Sequence, residues 1–339
     1  MRLFDAARFA ATISLGAIPA AAPAQVINLT IHDYGLAIGD KPRVSGLRIN
    51  YRDRYLKQVN GVNITLWQPY TPATGIVNGL GIGLPSTGAL TVNGAIVGVL
   101  GAGVERSLNG IGVGGVGIGS GGDARGLLIG GVGVGSGGRI TGVSLGGVGV
   151  GGAGSIRGIQ IGGIGVGGGG ELTGISIGGI GAGAAGKVSG LAVGGIGVGT
   201  GSDLEGIGIG GIGVGGAGDM TGLMIGGIGV GAGGTLEGVS LGGVGVGAVG
   251  LKGLAVSLIA AGAQNAHAIV LAGAYFKIET NGRFDGGALA AVNNIKGSQH
   301  GLTIGLFNYA RDLHGAQVGL INISDNDGNR RVLPILSVR

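Results

Sequence analysis

Between Gly110 and Gly253 the chain repeats one sixteen-residue unit in unbroken register. Each copy reads glycine, apolar, variable, apolar, Gly-Gly, apolar, Gly, apolar, Gly, then a small glycine-rich stretch and a polar-apolar-polar triplet. "GLLIGGVGVGSGGRIT" from Gly126 and "GIGIGGIGVGGAGDMT" from Gly206 are two copies. A fixed period of this kind marks a stack of identical supersecondary units, none of which folds alone. Glycine supplies 89 of 339 residues and recurs in five columns, as at Gly206, Gly210, Gly211, Gly213 and Gly215. Each costs roughly 0.5–1 kcal/mol relative to alanine in extended structure. A cost repeated at the same place implies a backbone need, either a positive φ or an approach too close for Cβ. Only seven prolines are present, which excludes collagen and a proline-rich linker. Elastin-like disorder would not hold a register.

The apolar columns point to strands. The seventh position reads Val116, Val132, Val148, Ile164, Ile180, Ile196, Ile212, Ile228, Val244. The fourth reads Val113, Ile129, Leu145, Ile161, Ile177, Val193, Ile209, Ile225, Leu241. β-Branched residues dominate both, which favours strand over helix. Within one copy, Ile207 and Ile209 share a strand face, as do Ile212 and Val214, and Met220 centres a third short segment. With a corner at Gly210-Gly211, these five are expected to point inward, and Gly208, Gly213, Asp219 and Thr221 outward. The expected fold is therefore all-β: a β-solenoid of sixteen-residue coils with atypical caps. The alternative is a closed, shallow β-barrel of repeated hairpins. The repeat offers apolar/polar alternation over only three to five residues before a parity break, against the 9–11 that a membrane strand needs.

The ends differ from the middle, because every aromatic residue lies outside 71–274. Bulky, more polar segments are what a solenoid needs to close its core. The expected organisation is a signal peptide over 1–24, an N-terminal cap with irregular β-units over 25–93, the glycine-rich repeats over 94–265, and C-terminal repeats with a cap over 266–339. The last region keeps a looser period of fourteen from Gly287, Gly301 and Gly315. Arg2 and Arg8 followed by an apolar run and Ala22-Pro23-Ala24 form a secretory signal with an A-x-A cleavage pattern before Gln25. No cysteine is available for a lipid anchor or a disulfide.

Little chemistry stands out. GxG strings are everywhere and carry no nucleotide-binding information. Calcium-binding glycine-rich repeats place Asp in GGxGxD, whereas "GGIGVG" places Val there. The best carboxylate cluster is Asp203, Glu205 and Asp219 on one outer edge, a candidate ligand edge whose plainer reading is a solvated face shared with Lys187 and arginines. Glu171, Lys187 and Asp203 are expected to alternate in charge along one column. His300 and His314 occupy equivalent places in successive units and are expected to stack without a third metal ligand. Thr141, Thr173 and Thr221 alternate with Arg157, Ser189 and Glu237, which spoils an ice-binding array. No catalytic residue, cofactor or metal is expected. The net charge of +5 arises mostly at the ends, through Lys41, Arg43, Arg48, Arg52, Arg54, Lys57, Arg330, Arg331 and Arg339. In an exported protein this suggests anionic envelope polymers, lipids or surface glycans as partners, not nucleic acid.

"HGLTIGLFNYARDLHGAQVGLINIS" and the following "RRVLPIL" resemble the C-terminal part of bacterial exported glycine-rich surface-repeat proteins. Gly301, Gly305, Asn308, Gly315, Gly319 and Asn322 carry the likeness. The glycine-rich middle resembles the same group, whose motifs are structural and imply no activity. The expected function is an exported, non-enzymatic structural or adhesive element of the cell surface. The alternatives are an outer-membrane-associated β-protein and a carbohydrate- or ligand-binding solenoid. The signal segment predicts a mature chain beginning at Gln25. Intact mass of protein from its native envelope tests this, and a retained Met1 sinks it.

Overall fold

The computed structural model describes residues 26–339; the expected signal peptide over 1–24 and its cleavage before Gln25 lie outside them. The chain divides into two compact units, Met1–Gly178 and Gly179–Arg339. Each is a β-solenoid of stacked parallel coils, so the barrel of hairpins does not form. In the first unit Gly133 pairs with Gly149 and Gly149 with Gly165, one coil apart in parallel register. In the second, Gly197 pairs with Gly213 and Gly213 with Gly229 in the same way. Among the described residues antiparallel pairing is confined to two places. At one, β1 (Ile27–Ile31) pairs with β2 (Tyr34–Ile38). At the other, Ala316–Ser324 pairs with the strand Arg331–Val338. The parallel stack begins where β2 meets β3 (Arg43–Asn50). Near the end of the chain Gly286, not Gly287, pairs with Gly301, so the coil there is fifteen residues and shortens to fourteen between Asn308 and Asn322.

One coil shows how the sequence is used. Strand Leu204–Gly210 passes through Gly206, turns at Gly211-Ile212, and continues as Gly213–Gly216. Gly206 has φ +114°, and a Cβ there would lie 2.3 Å from the carbonyl oxygen of Gly190 on the coil below. At Gly211 the φ is ordinary, but a Cβ would lie 2.0 Å from the Gly195 oxygen. Both needs expected of the glycine columns are therefore met, at different columns: the left-handed backbone at Gly206 and the close approach at Gly211.

The inward assignment is corrected. Val214 and Met220 point inward, and Asp219 and Thr221 point outward, as expected. Ile207 and Ile212 face outward with 39% and 50% of their surface exposed, and Ile209 is half-buried. Gly208 is buried instead. A Cβ on Gly208 would meet Val214 Cγ1 at 2.9 Å and Leu204 Cδ1 at 3.3 Å, so it points into the core. The reason is the width of the coil. Opposite walls lie so close that a few side chains fill the interior, and the remaining inward positions must be small.

In several coils a large interior side chain goes with a small one four residues away. In the first unit Leu108 accompanies Gly112, Ala124 accompanies Leu128, and Ile140 accompanies Ser144. In the second Val188 accompanies Ala192, Leu204 accompanies Gly208, and Leu236 accompanies Ser240. Elsewhere both are large, as at Ile156 with Gln160 and Met220 with Met224, where the space beside Met224 comes from Gly208 on the neighbouring coil.

The corrected orientation makes three substitutions diverge in thermal unfolding. Val214→Asp buries an unpaired carboxylate and is expected to cost several kcal/mol, about 3 or more. Gly211→Val drives a side chain into the Gly195 carbonyl and is expected to be as severe. Ile212→Asp sits on the outer rim and is expected to change stability by about 1 kcal/mol or less. Equal tolerance at Val214 and Ile212 would overturn the orientation.

Candidate interaction surface

The polar edge holds the coils together. Where position fourteen is Asp or Ser, its side-chain oxygen accepts a hydrogen bond from the backbone N–H one coil on. Asp123 accepts from Arg139 N at 3.0 Å and Ser155 from Glu171 N at 3.2 Å in the first unit. In the second, Asp203 accepts from Asp219 N at 3.0 Å and Asp219 from Thr235 N at 2.7 Å. The Arg139 N–H and its guanidinium hold the Asp123 carboxyl below its usual range. Glu205 pairs with Lys187 at 2.6 Å. The candidate ligand-edge residues thus share one edge, with one oxygen of Asp203 and of Asp219 bonded to the next coil and one of Glu205 paired with Lys187. In the first unit the neighbouring column is an amide ladder: Asn109 donates to Asn93, Asn93 to Asn78, and Asn78 to Asn60, each at 2.9 Å.

Beside this edge lies an apolar outer face. In the first unit Val116, Val132, Val148 and Ile164 are 43–50% exposed. In the second, Ile180, Ile196, Ile212, Ile228 and Val244 are 45–53% exposed. Their backbones are joined directly, with Ile212 N donating to Ile196 O and Ile228 N to Ile212 O, both at 2.7 Å. Ile159, Ile161, Ile175 and Ile177 in the first unit and Ile207 in the second also face outward. The column in the second unit is a contiguous apolar stripe of the kind that marks an interaction surface. Toward the end of that unit the face dips at Gly273, Ala290 and Ala291 into an open apolar groove of about 530 Å³.

The N-terminal interior is polar, which the sequence reading missed. Arg48, counted above among the surface cations, is fully buried. It stands inward in β3, in register with Asn63 on the next coil. Its Nη1 donates to Asp53 and, at 2.9 Å, to Asn63 Oδ1, and its Nη2 donates to Asp40 at 2.7 Å. Asn63 and Thr65 donate to the second Asp53 oxygen at 3.0 and 2.8 Å. Burial pushes the Asp53 carboxyl up, but the Arg48 charge and the hydrogen bonds from Arg48, Asn50 and Asn63 outweigh it and hold the carboxyl below its ordinary 3.8. The alignment of Gly46, Gly61 and Gly79 was the available signal, since it places Arg48 and Asn63 in one column. Outside this cluster the exposed Tyr51 stacks on Trp67, and the half-buried Arg52 lies 3.6 Å above the exposed Tyr70 ring.

At the other end the interior is an amide stack. Asn293 donates to Asn308 and Asn308 to Asn322, both at 2.8 Å, while each also caps a backbone carbonyl. A Cβ on Gly319 would strike the Asn308 amide, which explains the recurring Gly-ϕ-ϕ-Asn pattern. His300 and His314 stack with ring centroids 4.8 Å apart. Among the described residues no group of three or more His, Cys, Asp or Glu side chains is placed to hold a metal ion. None of these clusters presents an activated nucleophile or an acid/base pair in a cleft. No protein-family profile, curated protein or solved structure matches the chain.

The buried ion cluster predicts an acid-dependent stability. Because the folded-state carboxyl of Asp53 is depressed, its contribution is present in full above the ordinary value of 3.8 and is lost as pH falls through the folded value. Asp53→Asn is expected to cost about 3–5 kcal/mol near neutral pH by leaving Arg48 short of a counter-charge. The melting-temperature gap between wild type and variant should narrow below about pH 4. A gap that stays constant through acid would show that the charge of Asp53 is not what matters.

Proposed function

We propose that this protein is an exported, non-enzymatic β-repeat protein with a structural or adhesive role at the bacterial surface, in the manner of the glycine-rich surface-repeat proteins it resembles. The observation that carries the reading is the outward-facing apolar column of each unit. Isoleucine and valine are repeated coil after coil at positions where they are half-exposed, although the core has no need of them there. A soluble monomer gains nothing from such a face, and an element that adheres to apolar or amphipathic material does. The polar edge supports the same role by tying coil to coil. The chain has no cysteine, so the stack holds without disulfides.

A second reading, association with an anionic lipid surface, is favoured by the exposed Tyr51, Trp67 and Tyr70 beside Arg52 and Arg54. Aromatic rings with an apolar body and a polar tip suit the interface of a bilayer, and adjacent arginines suit its headgroups. No helix among the described residues is long and apolar enough to cross a membrane.

The two readings separate in one set of variants. Changing Ile180, Ile196, Ile212 and Ile228 together to Thr is expected to keep the parallel stack, read by circular dichroism, and to lower adsorption to hydrocarbon droplets several-fold. Trp67→Ala with Arg52→Ala is expected to leave that adsorption unchanged. Undiminished adsorption of the threonine variant would remove the adhesive reading. Flotation with anionic vesicles that falls only in the Trp67/Arg52 variant would move the assignment to a lipid surface.

A further inference from the structure

The N-terminal end of the stack leaves a strand edge that lacks, within the strand, the features that protect the other end. β1 is hydrogen-bonded to β2 on one side, and among the described residues no strand lies on its other side. Exposed edges are ordinarily blunted by proline, charge or irregular backbone. The strand Arg331–Val338 has all three: Pro334, the positive-φ Ile335, and Arg330, Arg331 and Arg339 in or beside it. β1, with sequence Ile-Asn-Leu-Thr-Ile, has no proline, charge or positive-φ residue within the strand, although Lys41 donates to its Asn28 and Thr30 side chains and the positive-φ His32 and Asp33 follow it. Ile27, Leu29 and Ile31 on its outer face are 55%, 65% and 79% exposed.

We infer that the free edge of β1 pairs antiparallel with β1 of a second copy of this chain, about a two-fold axis at Leu29. The strand reads nearly the same in both directions. In the register centred on Leu29, Ile27 meets Ile31 of the partner strand, Leu29 meets Leu29, and Asn28 meets Thr30. A self-complementary patch of this kind is what a closed two-fold interface requires. The backbone phase agrees. A Cβ on Gly35 of β2 would lie 2.6 Å from the Leu29 carbonyl oxygen, so that carbonyl is directed at β2. The groups of Asn28 and Thr30 then point outward, free to bond the partner, and the two Leu29 residues form the close, non-hydrogen-bonded pair of the new ladder. Pairing also extends an existing surface. Leu29 is in register with Leu36 and Leu47, and Ile27 with Ile38 and Ile49. The outward apolar columns of the first unit therefore run on into the second copy without a break. Five residues bury less than the roughly 800 Å² per partner of a standard interface, so the association is weak and concentration-dependent.

Sedimentation velocity of the full chain from micromolar to submillimolar concentration tests this. The expected result is a monomer–dimer equilibrium that stops at the dimer. Leu29→Lys sets two like charges face to face and should weaken dimerisation roughly tenfold or more. Mixing Leu29→Lys with Leu29→Glu should restore it, which only a register pairing position 29 with itself allows. Leu29→Cys should give a disulfide-linked dimer under mild oxidation, read without ambiguity because the chain has no other cysteine, whereas Ile335→Cys should not. Unchanged thermal melts of the Leu29 variants exclude unfolding as the cause. A monomer at every concentration, an open-ended series of oligomers, or a dimer indifferent to Leu29→Lys would each overturn the inference.

Discussion

The structure depends on how closely one coil can lie on the next and how closely its own walls can face each other. Carbonyl oxygens such as those of Gly190 and Gly195 occupy the places where Cβ atoms at Gly206 and Gly211 would be. Glycine there is a condition of stacking, and its repetition is what lets every backbone group in the parallel ladder find a partner. The same closeness makes the interior too narrow for a layer of large side chains on every wall. Small residues therefore recur among the inward positions, as at Gly208, Ser144 and Ala192, and one column of β-branched residues is placed outside.

A core this thin is open at its ends, and the two ends are closed by polar networks. At the N-terminal end an arginine with two aspartates and two asparagines fills the coil. At the C-terminal end asparagines stack and donate to carbonyls of the coil walls. Buried polar groups are tolerable only when their hydrogen bonds are supplied, and a stack supplies them at a regular rise. These clusters give the terminal coils larger polar networks than the middle coils, whose buried polar residues are single serines and threonines and the Gln160–Ser176 pair.

This division of labour frees the outside. One edge is spent on coil-to-coil hydrogen bonds, through Asp123, Ser155, Asp203 and Asp219. The adjacent face is apolar. Asp203, Asp219 and Glu205 each give one oxygen to holding the stack. A repetitive apolar face suits attachment to extended material better than recognition of one small molecule, which calls for a concave site with a few convergent polar groups.

The repeat in the sequence determined the architecture. A sixteen-residue period held in register, with β-branched columns and invariant glycine, leaves parallel stacking as the way to satisfy the backbone, and the histidine stack and the outward Asp219 and Thr221 followed from counting positions. Which apolar column faces the core was decided only by the tertiary structure. Sequence reasoning equates apolar with inward, and Ile207, Ile209 and Ile212 broke that rule because interior width is a property of the closed coil, invisible along the chain. Arg48 was misread for the same reason: its charge signals the surface until the coil closes around Asp53 and Asn63. Periodicity specifies how coils lie on one another, whereas the direction of each side chain depends on the path of the backbone around a coil, which depends on contacts between residues far apart in the unit.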